Sequence, residues 1–239
     1  MKCYFCISKY TRMLEYDISP AVEAFSTNIA DSTDFDVVLP LHQSHGTESV
    51  IVNTADDVNR TFGVDALITQ TPGLRIGVKT ADCVPVLLHD GATRTVAAIH
   101  SGWKGTLADI IGATVGRMAA ECGVAPANIS AVIGPCIHIE AFEVGDDVRD
   151  LFQEAGFGDF CRRMPRFGTA DGEKWHIDLP SICRRELVRA GVRTIDVRPE
   201  CTYTLHRQFY SARRLGPAFQ KQRILSCIML RQINNPILH

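Results

Sequence analysis

The stretch Thr95-Val96-Ala97-Ala98-Ile99-His100-Ser101-Gly102-Trp103-Lys104-Gly105-Thr106 is where the chain changes structural class. Up to His100 it is a short apolar and β-branched run, the pattern of a buried strand. Beyond Gly105 the period lengthens. Leu107, Ile110, Ile111, Thr114, Val115 and Met118 recur at i, i+3, i+4 spacing and predict one helix with an apolar face, ended by Cys122-Gly123.

Before this stretch the chain reads mainly as strands: Ala21 to Ser26, Asp36 to Leu41, Ser49 to Asn53, Ala66 to Thr69, Leu74 to Lys79 and Val84 to His89. After it, Ile129 to Ile133 reads as a strand, Asp146 to Ala155 and Asp178 to Ala190 as helices, and Val192 to Val197 and Ile224 to Leu230 as closing strands. Strands first and helices later predict an α+β fold, not a regular βαβ alternation. No repeat, low-complexity run or linker interrupts the chain, so residues 1–239 read as a single domain.

With 46% hydrophobic residues the chain can bury a full core, and a formal net charge of −2 gives no basic footprint for nucleic acid or an acidic membrane. Lys2, Lys9, Arg12 and Glu15 break up the apolar residues of Met1 to Tyr16, and no stretch approaches the roughly 20 apolar residues of a membrane span. A soluble, cytoplasmic protein with small partners and no obligate protein partner is expected. The nine cysteines lack a disulfide-framework spacing, as where thiols stay reduced. Cys3-x-x-Cys6 is at metal or redox spacing but has no second pair near it, and a plain N-terminal pair is the favoured reading.

Chemistry concentrates where apolar runs meet turn-forming residues, in Leu41 to Gly46, Lys79 to Pro85 and Ala98 to Gly105. Each carries a ligand-type side chain: His45, Cys83 and His100. Imidazole nitrogen and thiolate sulfur are donors that zinc prefers, and three protein ligands leave a fourth tetrahedral position open, a catalytic arrangement. Taken singly, a histidine at a strand end is as readily a hydrogen-bonded structural residue and a cysteine in an apolar run a core filler, so spacing alone leaves both readings open. The Gly-rich turn through Lys104 into the helix suggests a phosphate cradle, or only a turn. Arg213 and Arg214 can grip phosphate or remain a solvated pair.

Together these segments resemble the laccase-domain family, also called the multicopper polyphenol oxidase-like or purine nucleoside phosphorylase family. The resemblance rests on Gln43-Ser44-His45-Gly46, Ala66-Leu67-Ile68-Thr69, Thr80-Ala81-Asp82-Cys83-Val84-Pro85-Val86-Leu87, Ala98 to Gly105, Ile133-Gly134-Pro135, Phe142-Glu143-Val144-Gly145, Cys201-Thr202-Tyr203 and Phe209-Tyr210-Ser211-Ala212-Arg213-Arg214. It implies an α/β/β/α sandwich of mixed sheets with a surface metal site at His45, Cys83 and His100. It also implies zinc-dependent phosphorolysis of adenosine, inosine, guanosine or methylthioadenosine and hydrolytic deamination of adenosine, with copper as the alternative metal. The sequence departs from the family in its first forty residues, where Thr27-Asn28 is followed by Ile29-Ala30-Asp31, and in Lys104, where the family has arginine.

On this reading Lys104 and Arg213 hold phosphate, and Asp82, beside Cys83, is a general acid or base or else orients its loop. Two other enzyme readings stand beside it. One is a metal-free Cys-His hydrolase or amidase with Cys83 as nucleophile and His100 as base. The other is a copper-dependent polyphenol oxidase, disfavoured because the eight histidines are scattered. A metal-sensing or scaffold protein is the non-enzymatic alternative.

Overall fold

A computed structural model describes residues 13–169, 172–218 and 222–232; Cys3 and Cys6 lie outside the described residues. The chain runs through β1 (Leu14–Glu15), β2 (Val22–Ser26), β3 (Ser49–Ile51), β4 (Ala66–Thr69), β5 (Ile76–Thr80), β6 (Val84–Asp90) and β7 (Thr95–Ser101) before its first helix. There follow α1 (Trp103–Leu107), α2 (Ile110–Cys122), β8 (Ile129–Ile133), β9 (Glu143–Val144), α3 (Asp146–Glu154), β10 (Cys161–Pro165) and β11 (Glu173–Ile177). The last elements are α4 (Leu179–Arg189), β12 (Thr194–Val197), α5 (Ala212–Leu215) and β13 (Ile224–Leu230).

A six-stranded mixed sheet has the order β12-β8-β6-β7-β4-β3, with β12 parallel to β8 and β3 parallel to β4. A four-stranded antiparallel sheet has the order β1-β2-β13-β5, and β10-β11-β9 form a third. The expected α+β class with mixed sheets is therefore what forms.

Alternation along the central strands divides the core. Val84, Val86 and Leu88 of β6 and Ala97 and Ile99 of β7 face α2 and α4, packing with Ile110, Val115, Met118, Ile182 and Leu187. Leu87, Val96 and Ala98 point the opposite way, onto Ile76 and Val78 of β5 and Ile228 and Leu230 of β13. All seven residues of β6 and of β7 are buried, as expected of strands covered on both faces. Each fully buried aliphatic side chain contributes about 1.5–3 kcal/mol, so this doubly covered pair is a firm base for the loops at its ends.

The structure departs from the sequence expectation in several elements. The helix expected after Gly105 begins at Trp103 and is broken: Asp109 takes a left-handed backbone (φ 64°) and its side chain accepts from Gly112 N, starting a fresh helix. Asp36 to Leu41 forms no strand and pairs only through the bridge of Val38 to Ile76. The β10–β11 hairpin arises from a polar stretch whose pairing is set across strands and not by apolar alternation. Among the described residues no helix is long and apolar enough to cross a membrane.

Candidate metal centre

β6 and β7 pair from Val84 opposite Ser101, so Cys83, just before β6, and Gly102, just after β7, emerge side by side. The loop of residues 41–48 folds over the same end of the sheet. His45, Cys83 and His100 thereby come together, each offering a donor atom, with all three donors within 4.8 Å of one another. Cys83 Sγ lies 3.9 Å from His45 Nε2, and the two imidazoles meet edge to face with centroids 4.7 Å apart. His100 is buried, Cys83 half-buried and His45 exposed, so the cluster opens to solvent on the His45 side.

Asp65, just before β4 and fully buried, organises this corner. Its Oδ1 accepts from His45 N at 3.0 Å and faces His100 Nδ1 at 2.8 Å. Its Oδ2 accepts from Ser44 N at 3.1 Å, Ser44 Oγ at 2.8 Å and Gly46 N at 2.8 Å. Wrapping successive backbone N–H groups around one carboxylate accounts for the left-handed backbone of His45 (φ 61°), which a non-glycine residue adopts at a cost. Occupying His100 Nδ1 leaves Nε2 for the cluster, the arrangement by which a carboxylate orients a metal-ligating histidine.

Charge follows this geometry. Burial alone would lift the Asp65 carboxyl, but the bonds from His100, Gly46 and Ser44 outweigh it and hold it below the ordinary carboxylate range. Burial would likewise raise the Cys83 thiol, yet His100 and His45 bring it well below its usual value. Burial opposes protonation of His100, but Asp65 and the Cys83 sulfur raise it above an ordinary imidazole. Without an ion the site favours thiolate facing imidazolium; the nitrogen and sulfur donors are a set that transition metals take.

The neighbouring loops leave no slack. A Cβ on Gly102 would stand 2.6 Å from His45 Cδ2 and 3.3 Å from Cys83 Sγ, and one on Gly105 would stand 2.9 Å from the Gly46 carbonyl oxygen. The glycines of this turn thus let it lie against the His45 loop. Asp82, at φ 92°, accepts from Thr202 Oγ1 and from Arg213 N, both at 2.7 Å, fastening the Cys83 loop to Thr202 and to the first turn of α5.

The two expected phosphate holders, Lys104 and Arg213, are both exposed. Lys104 stands two residues past Gly102, with Nζ 5.4 Å from the Trp103 ring centroid. Arg213 donates through Nη1 to the Glu143 carbonyl at 2.7 Å, whereas Arg214 spends its guanidinium on the carbonyls of Thr202, Tyr203 and Phe209. A cleft of about 430 Å³ lined by His206, Phe209, Tyr210, Arg214 and Gln222 borders this segment. Asp65 is not among the residues the sequence singles out: its one local sign is an acidic residue directly before the apolar Ala66–Thr69 strand, and its partners lie far along the chain.

Residues 13–231 match the family described as multi-copper polyphenol oxidoreductase laccase. A purine nucleoside phosphorylase of Bacteroides thetaiotaomicron is 39% identical over 208 residues, covering 82% of this chain and 74% of that protein. Adenosine deaminase RL5, from an unknown prokaryotic organism, is 39% identical over 192 residues, covering 76% and 71%. The structure also superposes on the hypothetical protein YfiH of Bacillus licheniformis with a TM-score of 0.76 at 25% identity, covering 88% of this chain and 93% of that one. For protein NMB0706 of Neisseria meningitidis the TM-score is 0.74 at 27% identity, covering 94% and 100%.

Proposed function

The chain belongs to the multi-copper polyphenol oxidoreductase laccase family, and from that membership we propose that it is a cytoplasmic, zinc-dependent purine nucleoside enzyme. Its reactions are phosphorolysis of adenosine, inosine, guanosine or methylthioadenosine and hydrolytic deamination of adenosine. One observation carries the reading: an open cluster of two imidazoles and a thiolate, braced by a buried carboxylate, in a chain whose relatives bear both activities in their names.

His45, Cys83 and His100 would hold the ion, and their donor chemistry fits zinc. When bound, zinc supplies Lewis acidity at the mouth of the site. Asp65 fixes the His100 ring, and Gly102 gives the His45 ring its place. Lys104 and Arg213 form a cationic rim that draws phosphate in. The aromatic cleft at Phe209 and Tyr210 suits a purine base. In phosphorolysis a phosphate oxygen bonds to C1′ of the ribose as the C1′–N9 bond breaks, and the purine leaves with a proton. In deamination water adds at C6 of the purine and ammonia departs. Asp82 is assigned to hold the Cys83 loop in place; as an acid or base it would first have to release Thr202 or Arg213.

A metal-free Cys-His hydrolase is the second reading, supported by the lowered Cys83 thiol facing His100. A polyphenol oxidase draws less support, because the described residues hold only one such cluster. The deciding experiment is metal analysis of the purified protein with chromatography of a purine nucleoside mixture, with and without phosphate. Zinc near one per chain and phosphate-dependent release of base are expected; unchanged nucleosides under every condition would overturn the proposal.

A further inference from the structure

Lys79 and Arg223 converge on one face of the four-stranded sheet, next to the loop that carries Cys83. In the β5–β13 ladder Lys79 pairs with Leu225 and Thr80 with Ile224, so the register continued by one pair sets Arg223 opposite Ala81. Alternate strand residues share a face, which puts Lys79, Leu225 and Arg223 on the same side, Lys79 and Arg223 as diagonal neighbours some ~7–8 Å apart. Ala81, opposite Arg223 in that register, has only a methyl group, and it lies two residues before Cys83. Both basic residues are half-buried.

Arg223 Nη1 donates to the Gln222 carbonyl at 2.9 Å, and the guanidinium lies within electrostatic reach of the Cys83 sulfur. Burial and the Arg223 charge hold the Lys79 ammonium below its ordinary value. The Lys79 backbone is clamped independently of its amine: its N–H donates to Gln43 Oε1 at 2.9 Å and its carbonyl accepts from Gln43 Nε2 at 2.8 Å. The strand therefore does not need the ammonium group for its place. A multivalent anion placed between two half-buried cations gains from both charges at once.

We propose that Lys79 and Arg223 form an inner anion subsite for a phosphoryl group, that of inorganic phosphate or of a nucleoside 5′-phosphate, beside the metal ligands. The subsite deepens the purine nucleoside reading, on which the choice of phosphate as the anion rests. Lys104 and Arg213 are then the outer rim through which the anion passes.

The test is calorimetric titration of the zinc-loaded full chain with inorganic phosphate, with inosine 5′-monophosphate and with inosine. Lys79→Met and Arg223→Gln are each expected to weaken anion binding by about tenfold or more, as for loss of a charge-assisted contact. Lys79→Arg should retain it, and Lys174→Met, the same charge change on exposed β11, should bind as the wild type does. Loss of inorganic phosphate binding in both variants identifies free phosphate as the ligand. If the wild type instead prefers inosine 5′-monophosphate to inosine, and the variants erase only that preference, the ligand is the nucleotide. Wild-type affinity in both Lys79→Met and Arg223→Gln overturns the subsite, as does a wild-type chain that binds neither anion. Binding is read without turnover, so a chain that takes phosphate through this pair yet converts no nucleoside overturns the proposed function and leaves the subsite standing.

Discussion

His100 Nδ1 lies 2.8 Å from Asp65 Oδ1, with His100 2% and Asp65 0% exposed, so the ring that offers Nε2 to the cluster cannot turn without breaking a bond shut away from water. The same carboxylate shapes the His45 loop through three consecutive backbone N–H groups.

Replacing Asp65 with Asn should therefore act on two ligands at once. Loss of a carboxylate behind a ligating histidine typically weakens metal affinity 10- to 100-fold, and competition against a chromogenic chelator would read that shift. The carboxyl is held below its unfolded value of about 3.9, so its stabilisation is present above that pH and fades as pH falls through the folded value. The variant should lose stability at pH 7 and show a flatter acid limb in thermal unfolding. Wild-type metal affinity in this variant would mean that Asp65 serves the fold alone.

His45→Ala, Cys83→Ala and His100→Ala should each remove zinc while the far-UV circular dichroism stays close to wild type, since the double-faced core beneath does not depend on the ion. Elemental analysis decides this, and full metal content in all three variants would sink the ligand assignment.

Gly102→Ala puts a methyl carbon 2.6 Å from His45 Cδ2, well inside van der Waals contact. His45, exposed and on a loop, is the group that gives way. The expected result is a folded protein with zinc occupancy reduced by about tenfold or more, on the scale of disturbing a ligand's orientation. Unchanged occupancy would show that the loop can retreat without losing its donor.

Cys83 should resist mild alkylation in the metallated protein and react readily after chelation, because a coordinated sulfur is not available as a nucleophile. Among the described cysteines Cys136, Cys183, Cys201 and Cys227 are buried, and Cys122 and Cys161, half-buried like Cys83, have thiols that burial raises, whereas the Cys83 thiol is lowered. Peptide mapping after iodoacetamide treatment, alongside adenosine turnover, separates the two leading mechanisms. Turnover that survives complete zinc removal, with a substrate adduct on Cys83, would favour the metal-free hydrolase.

Much of this could be read in the sequence where a single segment contained its own signal. Ala66–Thr69, Ile129–Ile133 and Ile224–Leu230 form the strands their apolar runs announce, and His45, Cys83 and His100 stand in segments rich in turn formers. What stayed hidden depends on partners far along the chain. Asp65 gains its meaning from Ser44, His45, Gly46 and His100, and the β10–β11 pairing from strands that are polar when read separately. The break at Asp109 was masked by apolar spacing that continues across it, although the backbone there turns left-handed.

Asp82 reaches across 120 residues to Thr202 and 131 to Arg213. On the ribosome, where chains emerge and fold from the N-terminus onward, His45, Asp65 and His100 can meet while the second half is still being made. The loop bearing Cys83 cannot be fastened until the segment ending at Arg213 has left the exit tunnel. The Cys83 loop is thus the last part of the site to be fastened, and a chain halted before that point keeps both imidazoles but not the tie through Asp82 beside the sulfur.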